Sequence, residues 1–489
     1  MLNHLKNEAN IAYTENGAVT NASTMSDCLD LFATIGALRS ADDQEIIRRF
    51  VRAYAEDADI AMKILFFGRD VRGGLGERRV FRVIINWLAE NKAESLRKNI
   101  ELISEFGRYD DLVSLLGTAC EKDALRTIRR QLETDIESDA EVSLLAKWLP
   151  SVNASNGETV RKAKRIARYL RMSDAEYRKT LVELRKKIRI IENNLRKKDY
   201  SFDYAKQPSK AMFKYQKAFL RNDGERYNAF LEAVRSGEKQ LHADNLAPYE
   251  IVRSALNANR WGFNACLTAG EKAALNASWE SLPDFYDNRN ALAVVDTSGS
   301  MYCYDNALPA AVALSLGLYF GERNTGIFRN HFIEFSSRPQ LIEIKGKTFA
   351  ERLEYLCTFN EVADTNVEAV FDLILDAAVR NNVPQEELPE TLYLISDMEF
   401  NSCVRNASVS NFASAKRRFA EHGYKLPQIV FWNVASRNSN QPVTKNEQGV
   451  ALVSGCTPRL FSMVASGDLS PYSVMMDIIE SERYAKISA

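Results

Sequence analysis

The chain has 489 residues, with 64 basic and 65 acidic side chains and a formal net charge of −1. This length predicts two or three domains, and a composition of 46% hydrophobic and 26% charged residues is typical of a globular protein in water. No apolar run is long enough to span a bilayer, and the charged N-terminus lacks the apolar core of a secretory signal. We therefore expect neither a membrane segment nor export.

The cysteines and histidines limit the kinds of site that the chain can form. The seven cysteines occur singly, without CxxC spacing, and the four histidines lie far apart. This pattern argues against a disulfide framework, a zinc site or clustered-histidine catalysis, and it indicates a reducing, cytoplasmic compartment.

The near-zero net charge hides a strongly basic segment. From Arg161 to Arg226 there are 21 Lys or Arg against 8 Asp or Glu, a local excess of +13. A partner that is attracted by positive charge responds to the local field, so a nucleic acid is not excluded.

The first half of the chain, from about residue 25 to 285, has a helical pattern. Apolar residues recur every third or fourth position in short stretches separated by Gly, Asp or Asn. This succession predicts stacked helical pairs, an α-solenoid; an irregular helical domain is the alternative, because no fixed-length repeat is visible. The predicted helices are residues 43–55, 59–67, 78–91, 94–106, 109–116 and 123–136.

The longest helical pattern covers residues 173–198. Apolar residues form one continuous stripe along it, and Lys186, Lys187, Lys197 and Lys198 lie off that stripe. Two interpretations remain open: a solvated basic face beside a buried seam, or a surface that faces phosphates.

From about residue 288 the pattern changes to that of an α/β domain. The continuous apolar runs at 291–295, 391–395 and 428–432 predict strands buried on both faces of a parallel sheet. Amphipathic helices at 309–322, 367–380 and 411–422 lie between them, and 326–344 predicts a hairpin around Ser336 and Ser337. We therefore predict a helical domain, 1–287, and a doubly wound α/β domain, 288–489.

A group of oxygen-bearing side chains follows the predicted strand ends. Asp296, Ser298 and Ser300 come directly after the strand at 291–295, and Asp397 follows the strand at 391–395. Thr365 precedes the helix at 367–380. In open α/β sheets, ligands bind beyond the carboxyl ends of the strands, where the strand order reverses.

Carboxylate and hydroxyl oxygens are the ligands of a hard cation, so the pattern predicts a Mg²⁺ site rather than zinc. Helix capping is the alternative: Ser298 can cap one helix, and Asp364 or Thr365 can cap the next, with Glu368 completing a capping box.

The pattern resembles the metal-ion-dependent adhesion site of von Willebrand factor A domains. The resemblance implies that Ser298, Ser300 and Thr365 coordinate Mg²⁺, or Mn²⁺ or Ca²⁺, directly, while Asp296 and Asp397 act mostly through water. Because Mg²⁺ keeps several waters, one coordination position can be lent to a carboxylate from a protein partner. One departure is Ala363-Asp364 before the threonine, where many relatives have glycine.

The helical half resembles Ro/TROVE proteins. Residues 67–79 read FGRDVRGGLGERR, similar to the family's R-x-x-R-x-G-x-G-E-R signature, and 106–112 match its next segment. A helical domain followed by a von Willebrand factor A domain is the Ro arrangement. The resemblance implies a HEAT-like helical repeat, in a ring or arc, that binds structured or misfolded noncoding RNA.

Basic residues in three places are candidate RNA ligands. Arginines flank the Gly-rich break at 73–76, where guanidinium groups and backbone amides can meet phosphates, although Arg72 and Arg78 can instead pair with Asp70 and Glu77. The candidates are Arg69, Arg72, Arg78, Arg79, Lys162, Lys164, Arg165, Lys186, Lys187, Lys197, Lys198, Lys210, Lys214 and Lys217.

We therefore predict a cytoplasmic RNA-binding protein with a divalent-metal site in its second domain, and not an enzyme, because no nucleophile–base pair or nucleotide loop is evident. The alternative is a metal-dependent protein-interaction scaffold without RNA, in which a partner's Asp or Glu completes the metal site.

Overall fold

The computed structural model describes residues 1–139, 142–188, 190–259, 262–285, 290–303, 306–335, 338–359, 365–401, 410–464 and 469–489. The predicted domain boundary at 287/288, the turn at Ser336 and Ser337, and Asp364 lie outside these ranges. The chain forms two compact units. The first comprises 1–42, 51–57 and 204–481, and the second comprises 43–50, 58–203 and 482–489, a division that differs from the predicted segments 1–287 and 288–489.

Helices dominate the described residues, and ten short strands accompany them. The helices are α1 (Leu2–Ala9), α2 (Asp27–Phe32), α3 (Asp43–Glu56), α4 (Ala58–Arg69), α5 (Arg79–Asn91), α6 (Ala93–Asn99), α7 (Ile103–Phe106), α8 (Tyr109–Ser114), α9 (Glu121–Glu137), α10 (Leu145–Trp148), α11 (Gly157–Tyr169), α12 (Asp174–Lys187), α13 (Ile191–Lys197), α14 (Ser209–Asn222), α15 (Gly224–Arg235), α16 (Pro248–Ala255), α17 (Ala269–Glu280), α18 (Gly299–Cys303), α19 (Leu308–Arg323), α20 (Phe349–Leu356), α21 (Val367–Asn381), α22 (Asn411–Glu421), α23 (Arg459–Met463) and α24 (Pro471–Ile479). The strands are β1 (Ile11–Tyr13), β2 (Val19–Asn21), β3 (Leu256–Asn259), β4 (Gly262–Ala265), β5 (Ala291–Asp296), β6 (His331–Phe335), β7 (Gln340–Glu343), β8 (Thr391–Ser396), β9 (Gln428–Asn433) and β10 (Val450–Ser454).

Most predicted helices of the first half are confirmed. α3, α4, α5, α8 and α9 begin and end within two residues of the predicted bounds. The single helix predicted at 94–106 is wrong: α6 and α7 are separated by a 3₁₀ turn at Ile100–Leu102. The Asn99 side chain donates to the Ser95 carbonyl oxygen over 2.7 Å, a local bond that competes with the helical pattern.

The long helix predicted at 173–198 is also wrong. α12 begins at a capping box between Ser173 and Glu176 and ends at Lys187, and α13 starts only at Ile191. The β-branched residues Ile188 and Ile190 lie in the break, where Ile190 is extended. Periodicity alone did not show this break, because the apolar spacing continues across it.

Six strands form one mixed sheet in the order β10-β9-β8-β5-β6-β7. All neighbouring pairs are parallel except β6 with β7, which is the predicted hairpin at the sheet edge. The chain runs from β5 outward to one edge, returns to β8, and continues to the other edge, so the strand order reverses between β5 and β8. This is doubly wound topology, and the α + α/β fold class is confirmed.

Both faces of the sheet are covered. On one face, α19 approaches so closely that a Cβ atom on Gly317 would lie 2.4 Å from Val295 Cγ2, which explains the glycine. On the other face, Phe371 of α21 and Phe419 of α22 join a buried cluster with Leu394 of β8. Burial on two faces explains why β5 and β8 are continuous apolar runs with every residue buried.

Several short strands differ from the prediction, which did not include them. β10 follows a long irregular connection rather than a helix, which hid it, and the antiparallel hairpins β1–β2 and β3–β4 have only three or four residues per strand. Over the described residues, no helix has the length and apolar character needed to cross a membrane. The six cysteines in those residues form no disulfide bond with one another.

Candidate cation site and basic surface

The first loop of the candidate cation site is held directly against the end of β5. Asp296 is the last residue of β5, and its Oδ1 accepts the Ser298 N–H over 2.8 Å. The hydroxyl oxygens of Ser298 and Ser300 lie 3.1 Å apart. Asp296 and Ser298 are buried, while Ser300 is partly exposed, so the cluster is open on the Ser300 side.

The second loop joins the first across the strand-order reversal. The Ser396 hydroxyl, at the end of β8, donates to Asp296 Oδ2 and accepts the Met398 N–H over 3.1 Å. Burial, and then the nearby Asp397 carboxylate, raise the pKa of Asp296 above its usual range. The structure therefore brings Asp296 and Asp397 close together, as predicted from the two strand ends.

Thr365 is joined through its backbone to the segment that follows β8. Its carbonyl oxygen accepts the Asn401 N–H over 2.9 Å, and its side chain is buried. The capping alternative for this residue is wrong, because Asn366 caps α21 by accepting the Ala369 N–H over 3.0 Å. The Thr365 hydroxyl is therefore not used as the helix cap.

An arginine that the sequence analysis missed contacts this site. Arg437 Nη2 donates to Asp397 Oδ2 over 2.9 Å, and Arg437 Nη1 donates to Glu15. Glu15 is more than 380 residues from Asp397 in the chain, so no local pattern could show that one guanidinium links them.

The donor set suits a hard cation. In the described part of the chain, no group of three or more His, Cys, Asp or Glu side chains is placed to hold a metal. The cluster instead combines the carboxylates of Asp296 and Asp397 with serine hydroxyls, and such oxygen ligands fit Mg²⁺ or Ca²⁺. One oxygen of Asp397 is already bound by Arg437.

One predicted RNA ligand has a structural role instead. Arg69 is 1% exposed, and its Nε donates to Asp111 Oδ2 over 2.8 Å. Asp111 Oδ1 accepts from Arg82 Nε over 2.7 Å, so a single carboxylate is shared by two guanidinium groups. This burial corrects the prediction that Arg69 faces a phosphate.

The alternative in which Arg72 pairs with Asp70 differs from the structure. The Arg72 guanidinium donates to the Glu105 carbonyl oxygen over 2.5 Å, and only its backbone N–H reaches Asp70. Asp70 binds Arg483 with both carboxylate oxygens.

Three arginines line an open groove of the second unit. Arg78, Arg79 and Arg82 surround a volume of about 540 Å³ together with Trp87. The N-cap residue Arg78 and the first helical residue Arg79 are exposed at the start of α5, and the first turn has no acidic residue, although a helix N-terminus favours negative charge. Arg79 pairs with Asp43.

Most basic residues of α11, α12 and α13 are at the surface of the second unit. Lys197 and Lys198 are exposed at the end of α13. The other five candidates on these helices have surface partners. The pairs are Lys162 with Glu158, Lys164 with Asp174, Arg165 with Glu121, Lys186 with Glu183, and Lys187 with the Ser138 carbonyl oxygen.

The remaining three candidates lie in the first unit, on α14. Lys210 pairs with Glu250, Lys217 pairs with Glu271, and the Lys214 ammonium lies 4.9 Å from the centre of the Tyr215 ring. The predicted basic surface is therefore divided between the two compact units.

These features define a mostly helical protein with a doubly wound α/β sheet that carries carboxylates and hydroxyls at its strand-order reversal. The chain belongs to the family described as "Domain of unknown function (DUF2828)", whose model matches residues 14–139 and 154–285, over half of the chain. A second model, "Domain of unknown function (DUF7788)", matches residues 290–474, which include the sheet.

Two individual proteins resemble the chain along most of its length. "Uncharacterized protein L728" of Acanthamoeba polyphaga mimivirus is 27% identical, over 96% of this chain and 88% of its own. The crystal structure of the Deinococcus radiodurans RO (RSR) protein covers 92% of this chain and 93% of its own, at 15% identity and a TM-score of 0.39. A score this low does not establish a shared fold.

Proposed function

We propose that this chain is a Ro-like RNA-binding protein, and not an enzyme, that binds structured or misfolded noncoding RNA through the basic surface of α11–α13. The proposed architecture is a HEAT-like helical repeat combined with a von Willebrand factor A domain. The sequence signature at 67–79 supports the Ro-like part of the proposal.

The observation that carries the proposal is the arrangement of charge on α11, α12 and α13. Each helix buries an apolar side, formed by Ile166 in α11, Leu181 in α12 and Ile191 in α13, and most of its lysines and arginines face solvent. Arg185 of α12 is the exception, since its guanidinium donates to the carbonyl oxygens of Ala146 and Leu149. Exposed ion pairs contribute only about 0–1 kcal/mol each, so RNA phosphates can compete with the acidic partners described above. Phosphate contacts of this kind bind RNA without reading its sequence.

Reversing two of these charges should weaken RNA binding. The double variant Lys197→Glu, Lys198→Glu is expected to lower the affinity for a labelled RNA hairpin with a single-stranded tail by about tenfold or more, because phosphate contacts dominate such binding. The slope of log affinity against log salt should become shallower by about 0.7 to 0.9 for each phosphate that the variant no longer neutralises. Fluorescence anisotropy across a salt series measures both quantities.

The matched control carries the same change of charge elsewhere. Lys345 and Arg380 are exposed and paired with Glu343 and Asp376 in the first unit. Lys345→Glu, Arg380→Glu should leave both the affinity and the salt slope close to those of the parent. Equal weakening in the two double variants would show that only the overall charge matters, and salt-insensitive binding would contradict the proposal.

We further propose that the site at the ends of β5 and β8 holds a divalent cation, with Mg²⁺ as the first candidate. Asp296, Ser298 and Ser300 would hold it, and the buried Thr365 and Asp397 would complete the donor set. When bound, the cation would offer an open coordination position to a partner's carboxylate. The partial exposure of Ser300 supports such access and favours, as the second candidate function, a metal-dependent protein-interaction scaffold.

Removing the donors of this site should abolish cation binding. Asp296→Asn with Ser298→Ala removes one negative charge and one hydroxyl while nearly preserving side-chain volume. Calorimetric titration with Mg²⁺ and Mn²⁺ should show binding to the parent and none to this variant, with RNA affinity unchanged. Ser454→Ala, at the end of β10, is the control, since Ser454 is also a buried serine at a strand end but bonds to Gly36 and Phe32. Identical titrations for the parent and the Asp296 variant would contradict the site.

A further inference from the structure

The positively charged guanidinium of Arg437 is bound to Asp397, a proposed ligand of the divalent cation. Arg437 follows β9, and its side chain is 18% exposed. One side of the guanidinium is bound to Asp397, whose side chain is 1% exposed, and the other side is bound to Glu15, whose side chain is 44% exposed. The guanidinium therefore bridges a buried carboxylate at the candidate site and a more solvated carboxylate outside it.

The N-terminal hairpin that supplies Glu15 is fixed against the loop after β8. The Thr14 hydroxyl donates to the Phe400 carbonyl oxygen over 2.5 Å, and Gly17 forms a β-bridge with Asn401. The Glu15 N–H donates to Glu399 over 2.7 Å. The backbone at Glu15 is therefore held against this loop by the fold.

Asn438, the residue after Arg437, also binds Glu15 and Glu399. Asn438 Nδ2 donates to Glu399 Oε1 over 2.9 Å and to Glu15 Oε1 over 3.2 Å. Glu399 thus holds both the hairpin and the segment that carries Arg437. The bridge between Asp397 and Glu15 is built from three separate parts of the chain.

Carboxyl groups outnumber the guanidinium group around this bridge. Asp296, Asp397, Glu399 and Glu15 provide four carboxyl groups, and Arg437 is the guanidinium that contacts two of them. A guanidinium on Asp397 lowers the negative potential that a divalent ion would meet at Asp296. Glu15 acts in the opposite direction, because it attracts the same guanidinium away from Asp397.

We infer that Arg437 is a positioning residue that sets the divalent-cation affinity of this site by competing for Asp397, with Glu15 as the second carboxylate that holds its guanidinium. Cation binding shifts Arg437 from Asp397 toward Glu15, which connects metal occupancy to the N-terminal hairpin. The inference rests on the proposed cation site.

Two single variants of the full chain should change the affinity in opposite directions. Arg437→Gln should bind Mg²⁺ and Mn²⁺ about tenfold more tightly than the parent, since a positive charge next to Asp397 is removed. Glu15→Gln should bind them about threefold to tenfold more weakly, since Arg437 then has one carboxylate fewer to bind. Calorimetric titration gives the affinities, and thermal melting without metal shows that each variant is folded.

Two further variants, one conservative and one at another arginine, separate the competition for Asp397 from a purely structural role of Arg437. Arg437→Lys keeps the charge without the two-sided geometry and should lie between the parent and Arg437→Gln. Arg418→Gln removes a partly buried arginine that binds Asp372 on the neighbouring helix α21, and it should leave the affinity unchanged.

The two proposals fail in different ways. If the parent binds a divalent cation but Arg437→Gln and Glu15→Gln match it, the competition is wrong and the cation site stands. Weaker binding in Arg437→Gln also overturns the competition, because Arg437 would then support the site. If the parent binds neither Mg²⁺ nor Mn²⁺, the cation site itself fails.

Discussion

Replacing Asp111 with alanine is expected to lower the free energy of unfolding of the second unit by about 3–5 kcal/mol, because it leaves two guanidinium groups without their shared carboxylate. Asp111 is fully buried and accepts from Arg69 Nε over 2.8 Å and from Arg82 Nε over 2.7 Å. It also accepts the Arg108 N–H over 3.0 Å at the start of α8. Gly107 permits this packing, since a Cβ atom there would lie 2.5 Å from Asp111 Oδ2.

Urea unfolding followed by helical circular dichroism measures this decrease. Asp123→Ala is the matched control: Asp123 also contacts two arginines, Arg97 and Arg126, but at the surface, so its removal should cost about 0–1 kcal/mol. If both variants are destabilised by the same small amount, the buried network contributes nothing beyond a surface pair.

The buried strands and the amphipathic helices were predictable because each depends on neighbours in sequence. β5, β8 and β9 have continuous apolar runs, and α3, α5 and α9 have helical periodicity with recognisable ends. The breaks at Ile100 and Ile190 were not predictable from periodicity, because the apolar spacing continues through them while the backbone changes conformation.

The candidate cation site was predictable for a related reason. Parallel strands place their carboxyl ends at one edge, so the residues after β5 and β8 meet whenever the two strands are neighbours. Arg437 and Glu15 could not be found in this way, since they are joined only by the folded positions of distant segments.

The charge of a residue also did not reveal whether it was buried. Arg69 and Arg72 both flank the Gly-rich segment, yet Arg69 is buried against Asp111 and Arg72 is exposed. Asp111 is 42 positions from Arg69, so nothing local distinguishes a buried ion pair from a phosphate ligand. A basic sequence segment therefore predicts a basic surface only after such pairs are removed from it.

Replacing Tyr484 with alanine should destabilise the second unit by about 3–5 kcal/mol, the usual cost of removing a buried aromatic ring. Tyr484 is 2% exposed, and its ring centre lies 5.7 Å from that of Phe106 and 6.0 Å from that of Phe67. Its hydroxyl donates to Asp70 Oδ2 over 3.1 Å. Burial and the Asp70 carboxylate raise the pKa of Tyr484, which keeps the hydroxyl protonated as a donor.

Tyr484→Phe separates the ring from the hydroxyl. It should cost only about 1–2 kcal/mol, because Asp70 keeps both of its bonds to Arg483 and the two aromatic contacts remain. Urea unfolding of the parent and both variants measures the difference. Equal destabilisation would assign the effect to the hydrogen bond rather than to packing, and a negligible effect of Tyr484→Ala would show that residues 482–489 do not stabilise the unit. A large destabilisation confined to the alanine variant would instead establish that packing of the Tyr484 ring stabilises the unit. Residues 482–489 would then complete the aromatic core formed with α4 and α7.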